Sequence, residues 1–126
     1  MADAPLILVV EDDSDTRELV IEVLREDGYR VAGAGHGEEA LEILTREPRP
    51  PALILLDLMM PVMNGWELLE AMTRMKGMRE VPVLVLSADP ARQLAAQRGV
   101  VAVIGKPFDL QRLLRLVRAV TKSQMM

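Results

Sequence analysis

At 126 residues the chain is the size of one domain able to bury a core unaided, and with no cysteine it has neither a disulfide framework nor a thiolate metal site. A formal charge of −4 argues against a domain that binds nucleic acid directly through its phosphates, because such domains carry clustered positive charge. With one Trp, one Tyr and one Phe against nine Met, the core has to be aliphatic.

The first five residues carry an acid, Asp3, and lack the basic and apolar regions of a signal peptide. No apolar run approaches membrane-spanning length, so the expected setting is the cytoplasm, with no membrane partner.

Leu6 to Val10 is a short unbroken apolar run, the pattern of a strand buried on both faces, and Glu11, Asp12 and Asp13 follow at once. Ser14 is placed to cap a helix in which Leu19, Val20, Val23 and Leu24 recur at helical spacing and which Gly28 stops. Tyr29 to Ala34 is a weaker strand, followed by a helix from about Gly37 to Arg46 that carries Ala40, Leu41 and Leu44. Pro48, Pro50 and Pro51 end that helix and lead stiffly into a third strand, Ala52 to Leu56. After Gly65, Leu68, Leu69, Met72 and Met75 line one face of a third helix that Gly77 closes, and Val81 to Leu86 is the fourth strand. Asp89 and Pro90 are a cap and first-turn pair for a short helix through Leu94 and Ala95, ending near Gly99. Val100 to Ile104 is the fifth strand. Asp109 caps a last helix with Leu110, Leu113, Leu114, Val117 and Val120 along one side, and the chain from Lys122 to Met126 is expected to fray.

Strands alternating with helices through short loops require an open parallel sheet covered on both faces, because parallel neighbours need crossover helices. All strand carboxyl ends then lie along one edge, where such folds bind ligands. Glu11 and Asp12 end the first strand, Asp57 the third and Ser87 the fourth, and Lys106 follows the fifth; the second strand offers nothing comparable. Asp57 alone would read equally well as the first loop residue after an apolar strand. In this company it reads otherwise. Three converging carboxylates repel one another, and a hard divalent cation resolves this with oxygen ligands alone, no His or Cys being nearby. A cation, an ammonium and a hydroxyl together suit a phosphoryl group, which makes Asp57 a nucleophile able to form an aspartyl phosphate.

The acidic pair after Leu8, Val9 and Val10, the run Asp57, Leu58, Met59, Met60, Pro61 with Asn64 and Gly65, then Ser87 with Ala88, and Lys106, Pro107 and Phe108 together resemble a response-regulator receiver domain of the single-domain, chemotaxis-regulator type. The resemblance covers nearly the whole chain. It implies a three-layer (βα)5 α/β fold, a doubly wound parallel five-stranded sheet in the flavodoxin-like order 2-1-3-4-5, as one domain over residues 1–126 with a core at about 5–121. It also implies two-component signalling. Asp57 takes a phosphoryl group from a sensor histidine kinase or histidine phosphotransfer protein, and the chain serves an unknown downstream protein target as switch or shuttle. Asp12, Asp57 and the Met59 carbonyl ligate Mg²⁺ (or Mn²⁺), Glu11 holds a metal-bound water, and Ser87 and Lys106 bind the phosphoryl oxygens. The bond before Pro107 resembles the family's cis peptide.

The family carries an aromatic three positions before the lysine, paired with the Ser87 hydroxyl in a switch; here that position is Val103. The segment between Ser87 and Lys106 is also short, trimming a surface used for dimerisation, and a monomer or weak dimer is expected. Glu18, Glu22 and Glu26 on the first helix and Arg112, Arg115, Arg118 and Lys122 on the last read as solvated faces, His36 as a helix-start residue, and Trp66 as a packing group. The chain reads as a signalling domain that catalyses its own phosphorylation and dephosphorylation, not a turnover enzyme. The alternatives are a degenerate receiver that only binds partners and an aspartyl-phosphate hydrolase, which would want an acid where Met59 stands.

Overall fold

The computed structural model describes residues 6–58, 60, 62–78, 80–87 and 99–125, of which the last three are described by backbone alone. Its strands are β1 (Leu6–Val10), β2 (Arg30–Ala34), β3 (Leu53–Asp57), β4 (Val83–Ser87) and β5 (Val100–Gly105). They form one parallel sheet in the order 2-1-3-4-5. The helices are α1 (Ser14–Glu26), α2 (Gly37–Arg46), α3 (Gly65–Thr73) and α4 (Leu110–Met125). The short helix expected around Asp89 to Ala95 lies outside the described residues.

Alternation along the inner strands divides the core in two. Ile7, Val9, Leu53, Leu55, Leu84 and Leu86 face Val20 and Leu24 of α1 and Leu113 and Val117 of α4. Leu8, Val10, Ile54, Leu56, Val83 and Val85 face α2 and α3 through Ala40, Ile43, Leu44, Leu68, Leu69 and Met72. No helix among the described residues is long and apolar enough to cross a membrane.

Several boundaries differ from expectation for identifiable reasons. The cap of α1 is Asp13 and not Ser14: its Oδ2 accepts from Thr16 N at 2.9 Å and from Thr16 Oγ1 at 2.5 Å, and a carboxylate also suits the positive end of the helix. Strand β3 runs one residue further than its apolar run, because Asp57 still pairs with Leu86. Strand β4 starts at Val83, after Pro82, which has no N–H for the ladder. Helix α3 ends at Thr73, although Met75 still packs on the core from the turn beyond it. The last helix runs to Met125. Two contacts hold its final turns to the α1–β2 turn: Arg118 donates to both carboxylate oxygens of Asp27, and the Tyr29 and Thr121 hydroxyls lie 2.9 Å apart.

His36 caps α2, its Nδ1 accepting from Glu39 N at 3.2 Å. Trp66, expected to pack, is 39% exposed. On β5 the register slips between Val83 and Leu84, which pair with Val100 and Ala102; Val101 is the extra, exposed residue of a bulge.

Candidate functional site

The strand order sets the site. β3 lies between β1 and β4, so Asp57 at its carboxyl end has the acids of β1 on one side and Ser87 on the other. The β4–β5 ladder continues past Ser87↔Gly105, with Lys106 N donating to Ser87 O at 2.7 Å, which brings Lys106 to the same edge.

Carboxylate oxygens of Glu11, Asp12 and Asp57 lie within 4.8 Å of one another. Glu11 and Asp57 are buried and Asp12 is exposed, so the cluster opens to solvent on the Asp12 side. Lys106 Nζ donates to Glu11 Oε1 at 2.7 Å and lies 3.5 Å from Asp57 Oδ2. Burial works against the Lys106 ammonium, but the hydrogen bond to Glu11 and the charges of Asp57 and Glu11 outweigh it and hold its pKa above the ordinary lysine value. Glu11 Oε2 accepts from Asp13 N at 3.1 Å, so both oxygens of this buried carboxylate are engaged. The donor set is oxygen only, in a pocket of high negative charge, and fits a hard divalent cation such as Mg²⁺.

The loop after Asp57 is shaped by Gly65, whose N–H donates to Leu58 O at 3.0 Å. A Cβ there would lie 2.7 Å from Leu58 Cα and 2.9 Å from Asp57 O, so only glycine lets α3 begin against the strand end. Asn64 and Glu67 close a capping box over that start, with 2.9 Å bonds in both directions. Between them and the strand, Val62 has φ +66°, a left-handed conformation rare for a β-branched residue.

The structure thus brings Glu11, Asp12, Asp57 and Lys106 into one cluster, with Ser87 on the neighbouring strand end. Met59 lies outside the described residues. Val103 sits opposite Val85, half-buried against the α2–α3 side of the core. The Lys106–Pro107 peptide is cis. Sequence reasoning missed Arg17, whose NH1 donates to Glu11 O at 2.8 Å from six residues along the chain; no local pattern announces such a contact.

Comparison with known proteins places the site in context. The family model for the response regulator receiver domain matches residues 7–118. An uncharacterised 14.6 kDa protein of Leptolyngbya boryana is 37% identical over 115 residues, covering 89% of this chain and 86% of that one. The transcriptional regulatory protein PrrA of Mycobacterium bovis is 38% identical over 124 residues, covering 96% of this chain and 52% of PrrA, so the chain spans about half of that relative. Among solved structures, the receiver domain of sensor histidine kinase PA1611 from Pseudomonas aeruginosa superposes with a TM-score of 0.83 at 26% identity, covering 95% of this chain and 99% of that one. That structure holds a magnesium ion coordinated in its active site cleft. With this sheet order and this acidic edge, the chain belongs to the response regulator receiver domain family of two-component signalling.

Proposed function

We propose that Asp57 accepts a phosphoryl group from a phosphohistidine on a sensor kinase or phosphotransfer protein. An Asp57 carboxylate oxygen attacks phosphorus, the phosphorus–nitrogen bond breaks, and its electron pair returns to the imidazole, leaving an acyl phosphate on Asp57. Attack by water on that acyl phosphate later releases inorganic phosphate and restores the carboxylate. Glu11, Asp12 and Asp57 would hold Mg²⁺, with the Met59 carbonyl as a further ligand on the family pattern. When bound, the ion offsets charge on the phosphoryl oxygens. Lys106 supplies a second cation there and Ser87 a hydroxyl donor. The observation that carries this reading is the convergence of three carboxylates within 4.8 Å beside Lys106 Nζ.

The chain works as a switch or shuttle and not as a turnover enzyme. It acts in the cytoplasm as a monomer or weak dimer, with a downstream protein as its target. The phosphoryl donor docks beside α1, where Glu18 and Leu19 are exposed. The test is labelling by a small acyl phosphate, or beryllofluoride binding, with and without Mg²⁺. Modification should require both the cation and Asp57; labelling that persists in Asp57→Asn would overturn the assignment.

A further inference from the structure

The end of β2 carries no acid, hydroxyl or amine, yet it shapes the acidic edge through what it lacks. Glu11 N donates to Ala34 O at 2.9 Å, which ties the first acid to β2. From the other side, Arg17 reaches back from α1 and its NH1 donates to Glu11 O at 2.8 Å. A peptide group is planar, so the Glu11 carbonyl and the Asp12 N–H turn as one unit. A bond to the carbonyl therefore fixes where the Asp12 Cα lies and so restrains the position from which its carboxylate departs.

Two glycines border the path of Arg17 to this carbonyl. Its stem crosses Gly33, where a Cβ would lie 3.4 Å from Arg17 Cδ and only 2.6 Å from Ile21 Cδ1. Its head crosses Gly35, where a Cβ would lie 3.3 Å from NH1. Neither glycine has the positive φ that would otherwise explain its presence. Beside it, Glu39 Oε1 accepts from Gly35 N at 2.7 Å.

We infer that Arg17 is a positioning residue for the cation: by bonding the Glu11 carbonyl it sets the Glu11–Asp12 peptide so that the Asp12 carboxylate meets those of Glu11 and Asp57. The inference rests on the reading of that cluster as a metal site. Charge and position predict opposite signs, which makes it testable. A positive charge near the carboxylates opposes cation binding, so if charge were the whole of its effect, removing Arg17 would tighten binding. If Arg17 orients the ligands, removing it loosens binding, as loss of a ligand's supporting hydrogen bond does by about tenfold or more.

The experiment is Mn²⁺ binding to the full chain, followed by electron paramagnetic resonance of the free ion, for wild type, Arg17→Met, Arg17→Gln and Arg17→Lys. Met keeps the stem without a donor, and Gln is a good helix former too short to reach the carbonyl, so the test does not depend on one variant folding. Both should bind Mn²⁺ about tenfold more weakly with unchanged helix content. Lys, whose shorter ammonium still donates, should recover part of the loss. In the metal-free protein the Asp12 amide resonance should move in Arg17→Met while those of Ile7 to Val9 stay. Binding as tight as wild type or tighter in Met and Gln, with wild type itself binding, would overturn the role of Arg17 alone. A wild-type chain that binds no Mn²⁺ would overturn the metal reading and this inference with it.

Discussion

Lys106 is bonded to Glu11 at 2.7 Å, closer than the 3.5 Å that separates it from Asp57. The ammonium thus balances the cluster from the Glu11 side, the task a divalent cation would share. Lys106→Met leaves Glu11, only 1% exposed, without its cation. Breaking a buried ion pair from one side costs about 3–5 kcal/mol, and the 26% exposure of the Lys106 side chain puts this case toward the low end. Mg²⁺ bound at the proposed site would replace the lost charge, so it should raise the urea midpoint more in Lys106→Met than in wild type. Equal increments in the two proteins would contradict this.

Gly65→Ala should act on both stability and chemistry. Its Cβ would press on backbone, Leu58 Cα and Asp57 O, and not on a side chain that can turn away. Overpacking of this kind costs about 1–3 kcal/mol. The relief available is a shift of the Asp57 main chain, so acyl-phosphate labelling should slow by about tenfold or more. Urea unfolding and a labelling time course on one preparation test the two effects, and an alanine variant unchanged in both would remove the steric account.

Val62 stores strain in the same loop. Its φ of +66° costs a branched side chain about 1–2 kcal/mol, and at 69% exposure little packing offsets that. Val62→Gly should therefore raise stability by about 1 kcal/mol, the gain being reduced by the greater freedom of unfolded glycine. A lower urea midpoint in the glycine variant would show that Val62 makes contacts that outweigh its backbone cost.

The acid limb of stability should include Asp27. The hydrogen bond from Arg118 lowers the Asp27 carboxyl below its ordinary value against the opposing effect of burial, and the guanidinium charge adds to the lowering. A folded-state pKa below the unfolded one gives stability that is complete above the unfolded value and is lost as pH falls through the folded value. Asp27→Asn should cost under about 1 kcal/mol at neutral pH, since the Arg118 side of the pair is 56% exposed and screened by solvent. The gap to wild type should narrow below about pH 4. A constant gap down to about pH 2 would assign the loss to something other than this carboxylate.

The sheet was legible in the sequence because its inner strands are unbroken aliphatic runs, a pattern that only double-sided burial accounts for. The edge residues were legible because acids and amines at strand ends stand out against such runs. The limit of β3 was not, since a carboxylate after Leu56 looks like the start of a loop; the ladder continues because Asp57 can pair its main chain while its side chain turns toward Lys106. The contact of Arg17 with Glu11 was hidden for a different reason: it joins a helix to a loop past two glycines, and a glycine in a strand marks a bulge or a bend just as readily as a passing side chain.

The extra residue at Val101 has a consequence for anything that meets the β5 side of the sheet. An outer strand with a regular main-chain pattern is a template on which another strand can be laid. One inserted residue breaks the spacing of donors and acceptors on either side of it, so a straight incoming strand can match one half of β5 or the other, but not both. A strand laid along β5 would therefore be interrupted at Val101, which stands 53% exposed at the break.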